Sequence, residues 1–175
     1  ADALSIQKEQ EAIAHAAQVT GLLQIEAMQD PSRLWAARKA LSPLLKEIAP
    51  KKINEDVVVP ISHLPELLQT IRVLCDRYHL HNINFGHAGN GNIHVNLLVN
   101  PDNPEEMQRA EACLSHIFDA VLGLQGTLSG EHGVGQEKRR FVGREIDCTT
   151  LAVMRQIKQV FDPFLLFNPG KVLPD

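Results

Sequence analysis

"HNINFGHAGNGNIHVNLLV", residues 81–99, reads as two short β-strands on either side of a run of glycine and asparagine. Residues of those two types tolerate the backbone angles of a tight turn, so the stretch predicts a β-hairpin. Alternate side chains of a strand share a face. His94, Asn96 and Leu98 therefore point one way, and His87 ends the incoming strand across the turn. The two imidazoles can converge there, and Gly86, Gly89 and Gly91 leave room beside them for a small ligand or ion.

Working outward, "KINEDVVVP" ahead of the hairpin predicts a strand, because consecutive valines are stiff at χ1 and suit a pleated surface; Pro60 closes it. From Ser62 to His79 the apolar positions Leu64, Leu67, Leu68, Ile71, Leu74, Cys75 and Tyr78 recur at three and four, the stripe of an amphipathic helix. After the hairpin, Asn103, Pro104 and Glu106 make a capping-box start, Met107 to Val121 carry the next apolar face, and Gly126 ends it. A short "TLS" strand, a helix from about Asp147 to Val160 and the tail "LLFNPGKVLP" complete the chain. This order predicts an α+β fold: a ferredoxin-like antiparallel sheet with helices packed on one face, plus flanking N- and C-terminal helices. The other face of the sheet is expected to be free.

Upstream, residues 1–29 read as a helical arm with little apolar surface. Asp30 is placed to cap a second helix with Pro31 at its first position, and Pro43 is expected to break or kink that helix near Ala40 to Ser42.

With 175 residues, 44% of them hydrophobic, the chain can bury a core. A net charge of −4 with interspersed acids and bases excludes the basic stripe that nucleic acid requires. No apolar run approaches the roughly 20 residues of a membrane span, and the amino terminus has no signal pattern. The expected location is cytoplasmic, or peripheral to a membrane through electron-transfer partners. Cys75, Cys113 and Cys148 are odd in number and lack a C-x-x-C pair, against a disulfide framework or thiolate metal cage.

A lone histidine is more often a surface or satisfied core residue than a ligand, and His15, His63, His79, His81 and His116 carry no further reading. The pair in the hairpin gains weight from "GTLSGEHGVGQEKRR", where Glu131 and His132 sit among Gly126, Gly130, Gly133 and Gly135. Two histidines and one glutamate make a catalytic zinc set with an open position for a substrate oxygen. Arg38 shares a helical stripe with Leu34, Leu41 and Leu45, and its planar charged fork suits a carboxylate, either of a substrate or of an internal acid. Ser42, one turn on, can add a hydroxyl to the same ligand.

Four stretches, "LWAARKAL", "GHAGNGNIHVN", "GTLSGEHGVGQEKR" and "FDPFLLFNPGKVLP", together resemble the C-terminal domain of FAD-linked oxidases, the group of the glycolate oxidase D subunit and of D-lactate and D-2-hydroxyglutarate dehydrogenases. The resemblance covers nearly the whole chain. It implies that His87, His94 and Glu131 hold zinc or another divalent metal and that His132 is the active-site base. It also implies that Asn96 faces the substrate, that Arg38 and Ser42 hold its carboxylate, and that Asn168 approaches the flavin. Asn54 stands where some members carry a lysine for a distal carboxylate, so a dicarboxylate substrate is not implied. The expected activity is oxidation of a 2-hydroxy acid to a 2-oxo acid with hydride transfer to FAD. The FAD is held mainly by an N-terminal domain outside these 175 residues, so the chain is expected to be a fragment without turnover alone. Iron–sulfur partner subunits and a homodimer are the other partners the group suggests. A zinc-dependent hydrolase and a non-catalytic binding or assembly module are the alternatives.

Overall fold

The computed structural model describes residues 3–19 and 30–174. The chain divides into two compact units, Ala1–Leu41 and Ser42–Asp175.

In the first unit, α1 (Ala3–Val19) follows the expected helical arm, whose residues 20–29 lie outside the described ones. The second helix, α2 (Ser32–Ile48), begins one residue later than the sequence suggests. The Pro31 carbonyl accepts the Trp35 amide, and Asp30 receives both the amide and the hydroxyl of Ser32. The expected break at Pro43 is not there, because α2 runs through it. Proline removes one amide, but Lys39 and Pro43 are both exposed, so water can serve the carbonyl that loses its partner.

The second unit is built on β1 (Lys51–Val58), β2 (His81–His87) and β3 (Asn92–Val99), in the order β1-β3-β2 with both pairings antiparallel. The hairpin is therefore present, and its outgoing strand is the centre of the sheet. The expected fourth strand shrinks to one bridge between Thr127 and Val58, whose amides and carbonyls exchange both hydrogen bonds. Beyond Thr127 the ladder pairing with β1 stops, because the Leu128 amide donates to Glu145 Oε2 and the amides of Gly130 to His132 go to a β1 side chain described below.

Two helices, α3 (Leu64–Arg77) and α4 (Pro104–Gly123), bury their stripes against one face of this sheet. Leu67, Ile71 and Cys75 from α3, and Cys113, Ile117, Phe118 and Val121 from α4, meet Val57, Val95, Leu97 and Val99 in a core with no solvent access or nearly none. Burying each large side chain there contributes about 1.5–3 kcal/mol. Asn103 caps α4 by accepting the Glu106 amide, but Glu106 closes on the Asn100 amide, so only half of the capping box forms. At the other end Gln125, at φ 59°, takes the left-handed position, and Gly126 donates back to the Val121 carbonyl. The helix stops by a Schellman closure one residue before the expected glycine.

Downstream lie α5 (Val142–Glu145) and α6 (Cys148–Phe161), the latter capped by Asp147 through the amides of Thr149 and Thr150. Cys75 and Cys113 are buried and Cys148 is exposed. Among the described residues, no helix is long and apolar enough to cross a membrane.

Candidate metal and proton-transfer site

Because β3 is central, its even-numbered residues face away from the α3–α4 core. Its Asn92, His94 and Asn96 lie opposite Val58, Asp56 and Asn54 of β1 on one side and His87, Phe85 and Ile83 of β2 on the other. That face is not free as expected: His94 is 8% and Asn96 0% exposed. The connection after Thr127 crosses part of it. A Cβ on Gly130 would stand 2.5 Å from Nδ2 of Asn92 and 2.9 Å from a Val58 methyl carbon, so only glycine lets the loop lie this close. The turn of the hairpin makes the same demand at Gly91, at φ 71° with Val59 O only 2.0 Å from where its Cβ would be.

The close approach brings Glu131 to the histidines. Its Oε1 lies 3.4 Å from His87 Nε2 and 3.1 Å from His94 Nε2, and one ligand atom from each of the three falls within 4.8 Å of the others. Ligands about 2.1 Å from a tetrahedral zinc are separated by about 3.4 Å, so the donor set has the chemistry and the spacing of a three-ligand divalent site. Burial, then the neighbouring His132, pushes the His94 imidazole below its ordinary pKa, which favours the neutral form that a metal needs.

His132 stacks on His94 with ring centroids 5.1 Å apart and planes 18° from parallel. Its Nδ1 is 3.7 Å from Oδ1 of Asp56. Asn96 donates through Nδ2 to the carbonyls of Ile83 and His94. Its Oδ1, together with His94 Nδ1 and Asn92 Oδ1, is a buried polar atom with no hydrogen-bond partner among the described residues. Several orphans on one face are what a surface built to meet a ligand or water leaves behind.

Sequence reasoning passed over two residues here. Asp56, with no solvent exposure, accepts at Oδ2 from three successive amides: Gly130 at 2.8 Å, Glu131 at 2.5 Å and His132 at 3.0 Å. Lys138, also buried, donates to Asp56 Oδ1 at 2.5 Å and to the Asp56 carbonyl at 2.8 Å, and its ammonium is 3.4 Å from Glu55 Oε2. Burial alone would raise the Asp56 carboxyl, but the Lys138 hydrogen bond and the amides of His132 and Glu131 outweigh it and hold the group well below the carboxylate range. Glu55 goes the other way, raised by burial that Lys138 only partly offsets.

The remaining predicted residues make other contacts. Ser42 accepts a 2.8 Å hydrogen bond from Lys52, which keeps its hydroxyl proton available. Asn168 is in the tail at φ 48°, accepting from Lys171 at 3.3 Å, in a cavity also lined by Arg155 and Lys158. Arg38 belongs to the first unit, where its guanidinium lies 5.8 Å from the Trp35 ring centroid. The stripe it shares is exposed at Leu34 and Leu41 and buried only at Leu45.

The sequence is similar to those of known proteins. Residues 1–172 match the family described as FAD linked oxidases, C-terminal domain. The chain is 31% identical to glycolate oxidase subunit GlcD of Bacillus subtilis (strain 168) over 162 residues, 93% of this chain and 34% of that protein. It is 33% identical over 151 residues to the mitochondrial D-lactate dehydrogenase [cytochrome] of Arabidopsis thaliana, covering 85% of this chain and 27% of that one. To the D-2-hydroxyglutarate dehydrogenase of Xanthomonas citri pv. viticola it is 36% identical over 146 residues, 81% and 30% respectively. The chain thus spans about a third of the length of these relatives. A match over almost every residue shows that this chain belongs to the FAD-linked oxidase C-terminal domain family.

Proposed function

We propose that this chain is the substrate- and metal-binding part of a flavin-dependent dehydrogenase that oxidises a small 2-hydroxy acid, of the D-lactate or glycolate type, to the 2-oxo acid. The observation that carries the reading is the convergence of His87, His94 and Glu131 beside a stacked, half-exposed His132. When bound, a divalent cation would make the substrate hydroxyl more acidic, and FAD held by the rest of the protein would accept the hydride. His132 is the group placed to take the hydroxyl proton, since its imidazole flanks the ligand cluster and is open to solvent. The Oδ1 of Asn96 has no donor among the described residues and can accept from the substrate. Ser42 can donate its hydroxyl to the carboxylate, and Arg38 is assigned the same carboxylate on chemical grounds, as a permanently charged two-point donor. Asn54, on the same sheet face as His94 and Asn96, offers no cation for a second carboxylate. Asn168 is assigned to the flavin side by the family resemblance.

The test uses the full-length protein with its flavin. D-lactate or glycolate should bleach the flavin absorbance under anaerobic conditions, and His132→Ala should slow bleaching by at least about 100-fold. Bleaching by none of a panel of 2-hydroxy acids, or bleaching unaffected by His132→Ala, would sink the proposal.

A further inference from the structure

One carboxylate organises both halves of this site. Asp56 is tied through the β1–β3 pairing directly opposite His94, so its distance from that ligand is set by sheet register. From there, Oδ2 gathers the amides of Gly130, Glu131 and His132, which face one anion much as amides face one in a backbone nest. Oδ1 receives Lys138, which closes the far end of the same loop on the same side chain. An ammonium has three donors. Those of Lys138 meet Asp56 Oδ1, the Asp56 carbonyl and Glu55 Oε2, which leaves the cation fully paired at the edge of β1.

Nothing but a carboxylate suits that position. Every contact of the Asp56 oxygens is as an acceptor, so an asparagine would turn an amide donor against either the three backbone amides or the ammonium. We infer that Asp56, clamped by Lys138, is the positioning residue that holds Glu131 against His87 and His94 and holds His132 over His94 before any ligand arrives. The inference rests on the proposed reading of Glu131 as metal ligand and His132 as base. Asp56 acts through those two residues and is not itself a ligand: the cluster of ligand atoms within reach of one another comprises His87, His94 and Glu131.

The experiment has two arms, both on the 175-residue chain. In the first, amide hydrogen exchange of the metal-free wild type should show Gly130, Glu131 and His132 slowed about 10- to 100-fold relative to Gly133, the factor that hydrogen bonds to a charged group carry. In the second, zinc affinity is measured by competition with a chromogenic chelator for wild type, Asp56→Asn, Glu131→Gln and Leu67→Ala. Asp56→Asn should weaken zinc binding about 10- to 100-fold, as loss of an outer-shell partner does. Leu67→Ala removes core packing remote from the loop and should lower the melting temperature without changing zinc affinity. Loop amides that exchange as fast as Gly133, or a folded Asp56→Asn chain that binds zinc within about twofold of wild type, would overturn the inference. If Asp56→Asn does not fold, the exchange arm decides alone. A wild-type chain that takes up no zinc, or takes it up equally with Glu131→Gln, overturns the metal reading instead, and the exchange arm still decides whether Asp56 fixes the loop.

Discussion

Replacing Lys138 with methionine keeps most of the side-chain volume and removes a cation that two buried carboxylates share. Its ammonium lies 2.5 Å from Asp56 Oδ1, 2.8 Å from the Asp56 carbonyl and 3.4 Å from Glu55 Oε2, with all three side chains buried. Removing one partner of such a cluster costs about 3–5 kcal/mol, because the opposite charge stays behind without compensation. Glu55 can relieve its share by taking up a proton once Lys138 no longer offsets its burial, which points to the lower end, about 3 kcal/mol. The pH dependence has a definite sign. The Asp56 carboxyl is depressed in the folded state, so its contribution is fully present above the ordinary carboxylate pKa of about 4 and is lost only as pH falls on toward its depressed folded value. Glu55 is raised, so its ionisation costs stability as pH rises through its folded value. Protonating Glu55 removes its share of what Lys138 compensates, while Asp56 is still ionised near pH 4. The deficit of Lys138→Met should therefore be largest near neutral pH and shrink on acidification. Urea unfolding followed by far-ultraviolet circular dichroism near pH 7 and pH 4 measures this; Trp35 lies in the first unit and would report elsewhere. A deficit under about 1 kcal/mol at neutral pH, or one that grows as pH falls, would refute the reasoning.

The other predictions are brief. Gly91→Ala forces a Cβ into the Val59 carbonyl at a positive φ, and should cost about 1–3 kcal/mol in chemical denaturation while loosening the turn that carries His87. Asp147→Ala removes the cap of α6 and should cost about 1 kcal/mol, read as a lower melting temperature. In the full-length protein Arg38→Ala should lower kcat/KM for a 2-hydroxy acid by about 100-fold or more, and Arg38→Lys should recover only part, because an ammonium cannot make the two-point contact; recovery to wild type by lysine would count against that role.

Features encoded within a few residues were legible in the sequence. The hairpin of residues 81–99, the stripe of α3 and the cap at Asn103 depend on local periodicity and short-range hydrogen bonds, and all formed where their residues stood. Local rules also failed where the surroundings decided the outcome. Proline at position 43 sits in an exposed turn of helix that tolerates it, and Gln125 took the left-handed position expected of a glycine. "TLS" reads as a strand, yet only Thr127 pairs, because the Leu128 amide is taken by Glu145 and those of Gly130 to His132 by Asp56.

The site divides in the same way. His87, His94, Glu131 and His132 announced themselves through residue type and glycine context, and the fold brought them together. Asp56 and Lys138 did not, since one read as a strand residue and the other as a loop cation. Their contact spans 82 positions of sequence and depends on the register of β1 against β3, which no short pattern encodes.

The most direct test of the account is a metal titration of the 175-residue chain. The account predicts one equivalent of zinc bound, with affinity reduced at least about 100-fold by His94→Ala or Glu131→Gln and unaffected by His116→Ala, a histidine paired with Tyr78 outside the cluster. No uptake of zinc, or uptake indifferent to His94 and Glu131, would contradict it.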